Sequence, residues 1–286
     1  MRPLLAEETG FEPARACLRA QGVSNPPQWT SYATPPLSLS IIPFSSLFLL
    51  HFLQMGLLDF VFPKFCINCK KFGPYVCANC FSMISFSDNG FCTVCQKAAI
   101  NGFTHPICTN KYTLDGVFSS LNYVGVTKKL VYRFKYKPFV TDLQKTLLEF
   151  FYEGLIQKEV FYNLLQKPSV FVPIPLHRSR LRRRGYNQSY LLAEGLGKMF
   201  QIKTLDILQR TKNTKTQVGL TKSEREKNIK GAFAIKKEYL DKASGLKQIF
   251  LIDDVATSGS TLKEAAKILK ENGTGKVFGL TLAHGN

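Results

Sequence analysis

Residues 250–261 read FLIDDVATSGST, and no other stretch limits the fold so closely. Phe250, Leu251 and Ile252 form an apolar run too brief for a helix and bounded by polar residues, the pattern of a short buried strand. Beyond it, LKEAAKILKENG places Leu262, Ala265, Ala266, Ile268 and Leu269 on one helical face. Thr261 and Glu264 have capping-box spacing, and Gly273 supplies the left-handed residue that ends a helix. The stretch therefore reads as a turn from a buried strand into a helix N-terminus. In an open α/β sheet, ligands bind in the crevice beyond the carboxyl ends of the strands.

The residues of the turn set its chemistry. A helix N-terminus presents unpaired N–H groups and the positive end of a dipole, which together attract a phosphate. Thr257, Ser258, Gly259, Ser260 and Thr261 can wrap one phosphate with amides and hydroxyls, Gly259 letting the backbone come close. Asp253 and Asp254 stand too near such a phosphate to serve it directly, and suit ribose hydroxyls or a metal-bound diol. The whole string resembles the phosphoribosyl-pyrophosphate (PRPP) signature of type I phosphoribosyltransferases. By that resemblance the acidic pair holds the ribose hydroxyls and the following loop holds the 5′-phosphate.

Cysteine spacing points to a second chemistry. CINC, CANC and CTVC contribute Cys66, Cys69, Cys77, Cys80, Cys92 and Cys95, and HPIC adds His105 and Cys108. Two-residue spacing brings both thiolates of a turn to one ion, so three C-x-x-C pairs in one short segment favour tetrahedral zinc. Disulfides would fit a secreted mini-domain, and nothing here resembles a secretory leader. Cys66, Cys69, Cys77 and Cys80 make one ligand set. Cys92, Cys95, His105 and Cys108 can make a second, although a cross-braced pairing also fits the spacing. A complete set leaves no open position for substrate, so the expected role of one or two Zn²⁺ is structural.

Charge narrows the partners. Lys plus Arg number 38 against 20 for Asp plus Glu, a formal charge of +18 that favours phosphorylated ligands, nucleic acid or an anionic surface. Arg178, Arg180, Arg182, Arg183 and Arg184 follow a strand that ends in the prolines of VPIP. Arginine forks match phosphate oxygens, and position makes Arg178 and Arg184 the candidates for a diphosphate. VTKKLVYRFKYKPF reads as a basic amphipathic helix, with Leu130, Val131 and Phe134 inward and Lys128, Lys129, Arg133, Lys135 and Lys137 outward. Tyr132, Phe134, Tyr136 and Tyr186 are interleaved with basic residues closely enough for base stacking. Further on, Ser223 and Glu226 have capping-box spacing before an extended GAFAI. No G-x-x-x-x-G-K-[ST] occurs, which excludes a P-loop.

The first 54 residues differ from the rest. The apolar segment IIPFSSLFLLHFLQMGLLDFVF, residues 41–62, is about long enough to span a bilayer. It is interrupted by Pro43, His51, Gln54 and Asp59. Two readings fit residues 1–54, a membrane-associating leader or an upstream extension, and Met55, opening MGLLDFVFPKFC as a plausible start, favours the second. The working protein is then expected to be cytoplasmic, without stable membrane insertion.

The cysteine-rich segment, VPIPLHRSRLRRRGYNQ, TQVGL with EREKNIKGAF, and LIDDVATSGST follow one another in an order that resembles the ComF family over residues 55–286. The resemblance implies a zinc-ribbon module at 55–112. It implies an α/β domain at 113–286 with a Rossmann-like, mostly parallel sheet of the type I phosphoribosyltransferase kind. It also implies PRPP with Mg²⁺ as ligand, transfer of phosphoribose to an acceptor, and a link to DNA uptake in competence. Single-stranded DNA and other DNA-uptake proteins are the corresponding partners. His105 stands where the family often has cysteine, and the arginine run is denser than its pattern requires. Thr257 stands where some purine transferases place a general-base aspartate, and threonine does no such work near neutral pH. Either the acceptor is activated otherwise, or the domain senses PRPP without turnover.

Overall fold

The computed structural model describes residues 63–87, 90–136, 141–214 and 221–285. The apolar segment at 41–62, Lys137 and TQVGL lie outside the described residues. Among the described residues, β1 (Gly90–Phe91) and β2 (Ala98–Ala99) pair antiparallel within the cysteine-rich segment. Then β3 (Gly116–Asn122), β4 (Val170–Pro173), β7 (Gln248–Ala256) and β8 (Lys276–His284) form a parallel sheet in the order β3-β8-β7-β4. A separate antiparallel pair joins β5 (Leu208–Arg210) to β6 (Phe233–Ile235). The longer helices are α1 (Gly125–Tyr136), α2 (Thr141–Ile156), α3 (Glu159–Leu165), α4 (Arg178–Arg184), α5 (Gln188–Phe200), α6 (Lys222–Ile229) and α7 (Ser260–Glu271). No helix among the described residues is long and apolar enough to cross a membrane.

The sheet is parallel because helices return the chain between its strands, and its two central strands are covered on both faces. Alternation assigns each side chain to a layer. Phe250 and Ile252 face one core with Phe171, Phe278, Leu130 of α1, Leu147 of α2 and Leu192 of α5. Ile249 and Leu251 face the other with Val172, Val277, Leu208, Phe233 and the Leu262, Ala265 and Leu269 stripe of α7. That stripe is the one expected from sequence, and Gly273 takes its left-handed turn at φ 81°.

The described part of the cysteine-rich segment shares its core with the α/β elements that follow. Cys66, Val76, Cys80 and Ile84 pack with the α1–α2 layer, while Phe91 packs with the α7 layer. Backbone bonds also tie the cysteine-rich segment to the edge strand β3, from Ser87 N–H to Ser120 O at 2.8 Å and from Asn122 N–H to Ser85 O at 2.9 Å. An otherwise exposed strand edge is thereby covered.

Three local expectations change. Strand β7 does not stop at Ile252; parallel pairing with β8 continues through Asp253↔Thr281 to Ala256↔His284, so the acidic pair lies inside the strand. Helix α7 is capped at Gly259 without a side-chain bond, and Glu264 instead accepts the Gly231 N–H at 2.6 Å. The capping box before GAFAI is Thr221 with Glu224, two residues earlier than Ser223 with Glu226, because Glu226 is engaged by Lys263 at 2.6 Å.

Phe250 is fully buried among the rings of Phe161, Phe171 and Phe278, with centroids 5.6 to 5.9 Å away. Phe250→Ala is expected to cost about 3–5 kcal/mol, measured as the shift in urea unfolding free energy.

Candidate functional site

Strand β7 carries Asp253 and Asp254 to the carboxyl end of the sheet, where they are only 9% and 3% exposed. Two adjacent carboxylates buried this deeply need partners. Asp253 Oδ1 accepts from Ser189 Oγ and from the Asp254 N–H, each at 2.9 Å. Lys135 Nζ lies 3.0 Å from Asp254 Oδ2 as a close ion pair, and among the described residues this buried oxygen meets no other donor, so it keeps an acceptor position in hand. Burial, then the charge of Asp254, pushes Asp253 up to about 7 against the pull of Lys135. Burial would lower the Lys135 ammonium, but Asp254 and Asp253 hold it above its ordinary value.

Lys135 was expected to point outward and does not. Thr127, Val131 and Lys135 are spaced by four, and the first two are buried on the face that α1 turns to the sheet. The helical period, which puts every fourth residue on one face, overrides the residue type here. Phe134, expected as a stacking residue, is likewise core at 4% exposure.

The segment RGYNQS is explained by what it ties together. Gly185, at φ 84°, ends α4. Tyr186 Oη donates to Phe134 O of α1. Asn187 Oδ1 caps α5 by accepting the Ser189 N–H at 3.1 Å, while its Nδ2 donates to Ile174 O beyond β4 at 3.0 Å. Gln188 takes Arg184, whose guanidinium also lies 5.3 Å from the Tyr136 ring centre. Ser189 is thus delivered to Asp253.

After Ala256 the chain turns through Thr257, Ser258 and Gly259 into α7. Gly259 sits at φ 66°, and a Cβ there would come within 2.7 Å of Thr93 Cγ2, so glycine is needed on both counts. Ser258 Oγ and Ser260 Oγ are 3.2 Å apart, and Thr257 Oγ1 accepts from Arg225 Nη1 at 2.7 Å. Thr261 opens the first turn of α7.

Of the two diphosphate candidates, Arg184 lies beside Tyr136 and Gln188, whereas Arg178 starts α4 as an exposed residue. Three other arginines make specific contacts near the loop and its flanks. Arg180 Nη2 donates to Thr214 O and Arg210 Nη2 to Thr214 Oγ1, both at 2.5 Å. Burial first, then the charge of Arg180, lowers Arg210 to about 10. The Nε atoms of Arg210 and Arg225 are buried without hydrogen-bond partners among the described residues. Guanidinium groups with donors unspent have affinity for an anion. Arg180 and Lys135 stood in basic stretches read from sequence as phosphate-facing without being singled out, whereas Ser189, Arg210 and Arg225 were not assigned to the site. The helical period was the signal that could have singled out Lys135.

The cysteines settle into two sequential groups, Cys66/Cys69/Cys77/Cys80 and Cys92/Cys95/His105/Cys108, rather than a cross-braced pair. Within each group all four ligand atoms lie within 4.8 Å of one another. His105 Nε2 is 2.9 Å from Ala98 O, which puts the ring proton there and leaves the Nδ1 lone pair beside Cys95 Sγ at 3.3 Å. Burial pushes the Cys66 thiol up, but the N–H groups of Cys69, Cys77 and Asn68 outweigh it and bring it to about 6. Cys108 is pushed up to about 11 by burial and by Cys95 and Cys92, so a full set of thiolates needs a cation. Both groups fit zinc.

No family model matches the chain. Competence protein F of Haemophilus influenzae is 31% identical to it over 236 residues, covering 74% of this chain and 99% of that protein. The chain belongs to the ComF family. Its likeness extends to DNA utilization protein YhgH of Salmonella typhimurium, 30% identical over 227 residues that cover 71% of this chain and 94% of that protein. Competence protein ComFC of Bacillus subtilis is 26% identical over 215 residues, 69% of this chain and 79% of that protein. Family membership agrees with the order of cysteine groups, arginine helix and acidic strand described above.

Two measurements follow. Elemental analysis is expected to find two zinc ions per chain, and one in Cys95→Ser. Asp253 releases its proton near pH 7 in the folded chain and near 3.8 when unfolded, so the folded state binds more protons between these values and loses stability as pH rises. Between pH 5 and 7 the urea midpoint of the native sequence should therefore fall relative to Asp253→Asn, levelling off above that. Parallel profiles would refute this assignment.

Proposed function

We propose that this ComF protein binds PRPP with Mg²⁺ and transfers its phosphoribosyl group to an acceptor. The observation that carries the reading is the buried Asp253–Asp254 pair at the carboxyl end of a central strand, followed directly by the Gly259 loop at the head of α7. Asp254 Oδ2, met among the described residues by Lys135 alone, would accept a ribose hydroxyl, and Asp253 would hold the pair through Ser189. The amides and hydroxyls of residues 257–261 would take the 5′-phosphate. Mg²⁺ would enter with the diphosphate and neutralise it as a leaving group, beside the same acidic pair. Arg180, Arg210 and Arg225 offer donors for a diphosphate, as do Arg184 and the more exposed Arg178. In the transfer, the C1–O bond to the diphosphate breaks and a bond from C1 to the acceptor forms, the acceptor proton leaving to solvent or to a group of the acceptor site. Thr257 is held by Arg225 and contributes no base.

The names of the relatives, two competence proteins and a DNA utilization protein, support a role in DNA uptake or use. A second reading draws on the surface of α1 and α4. Tyr132 and Tyr136 are 58% and 48% exposed with ring centres 5.0 Å apart, and Arg178, Arg182 and Arg183 are exposed on α4, whose Arg184 lies against Tyr136. Exposed aromatics among arginines suit single-stranded DNA, with PRPP then a sensed ligand instead of a substrate.

Calorimetric titration of PRPP and Mg²⁺ into the full chain separates these readings from a scaffold without a ligand. Saturable binding is expected, weakened at least about tenfold in Asp253→Asn/Asp254→Asn by loss of a charge-assisted hydrogen bond. Absence of binding to folded, zinc-loaded protein would remove the PRPP reading. Pyrophosphate release on adding acceptors would identify the enzyme. DNA affinity that falls with salt at a log–log slope of about −0.7 per phosphate contact, without turnover, would identify the binding module.

A further inference from the structure

The loop at 257–259 does not stand on the sheet alone. The turn that carries Cys92 and Cys95 lies directly behind it. Gln96 occupies the left-handed region at φ 64°, where its N–H closes the turn onto Cys92 O at 2.8 Å. Its side-chain Nε2 then donates twice, to Thr93 O at 2.8 Å and across to Ser258 O at 3.2 Å. Both amide hydrogens are spent, one on the metal turn and one on the loop. Thr93, 1% exposed, fills the space that a side chain at residue 259 would need. On the other flank, Phe91 stacks on His284 at 3.9 Å between ring centres, and His284 Nδ1 lies 3.1 Å from Ala256 O. The turn thus holds the loop at Ser258–Gly259, and Phe91 beside it backs the His284 that meets Ala256 at the end of β7.

The consequence is directional. In a trans peptide the carbonyl and the following N–H point opposite ways. With Ser258 O turned toward Gln96, the Gly259 N–H is turned away from the metal turn. Were this peptide to flip, a carbonyl would stand where an anion needs a donor. Without Gln96 nothing in this contact set fixes the choice, since glycine at 259 tolerates many conformations.

We infer that Gln96 is a positioning residue for the phosphate loop, and that occupancy of the Cys92/Cys95/His105/Cys108 group controls the loop by holding Gln96 in place. The second cysteine group is then part of the ligand site, although none of its ligands touches the ligand. This rests on the reading of residues 257–261 as the phosphate cradle.

The test uses the full chain and two readouts, deuterium exchange of the 257–261 amides and PRPP titration with Mg²⁺. Gln96→Ala and the isosteric Gln96→Glu, which cannot donate to Ser258 O, leave every metal ligand in place. Both should keep two zinc ions and exchange the loop amides about fivefold faster, with PRPP affinity down by a similar factor, the worth of one neutral hydrogen bond. Lys97→Ala, at the exposed neighbouring position, should change neither. Cys95→Ser should reproduce the faster exchange with one zinc lost. Loop exchange unchanged in both Gln96 variants would overturn the inference even where PRPP binds the native chain normally. If the native chain binds no PRPP, the ligand reading fails and exchange alone decides whether the turn holds the loop.

Discussion

Two neighbouring carboxylates buried at the end of a central strand govern this structure. Buried charge is expensive, and each element nearby answers part of it. Helix α1 brings Lys135 to Asp254, α5 brings Ser189 to Asp253, and the strand itself contributes the Asp254 N–H. None of these donors is local in sequence except the last. The positions of α1, α5 and β7 are therefore coupled: shifting one leaves a carboxylate without its partner. The bonds of Asn187 and Tyr186 to Ile174 and to α1 serve the same registration.

Around this anionic centre the protein gathers cations with donors unspent. Arg180 and Arg210 share Thr214, and Arg225 reaches Thr257. The layout separates sign from sign: acids inside β7, guanidinium groups on α4, β5 and α6, which precede it in the chain. A ligand with a diol at one end and phosphates elsewhere satisfies both halves together, which is the physical content of the PRPP reading.

The cysteine groups are joined to this arrangement through packing. The first lies in the same core as α1 and α2, and the second backs the loop that precedes α7. A structural metal usually serves to fold a segment that cannot bury enough apolar surface. Here the segment also seals the edge of the sheet and presses Thr93 against Gly259, so folding of the metal turn and shape of the ligand loop share the same contacts.

Much of this was legible beforehand. The apolar stripe of α7, the glycine that ends it, the strand leading into the acidic pair and the identity of the eight metal ligands depend on short-range spacing, while the structure chose the sequential grouping over the cross-braced one. Helical period, turn geometry and C-x-x-C reach act within a few residues, so they are written in consecutive letters. What escaped were contacts between distant segments. Lys135 was read outward by its type, yet it falls on the period of Thr127 and Val131 and meets Asp254. Arg225, Arg210, Ser189 and Gln96 carry no local mark of their roles, because their partners lie 32, 4, 64 and 162 residues away in the chain and three of those four separations are bridged only by folding. The alphabet of the site, carboxylates, small hydroxyls, glycine, thiols and arginines, was thus present in the chain itself. Which carboxylate meets which cation, and which metal turn backs the loop, was decided by burial, since only packing in three dimensions tells a charge whether it must find a partner.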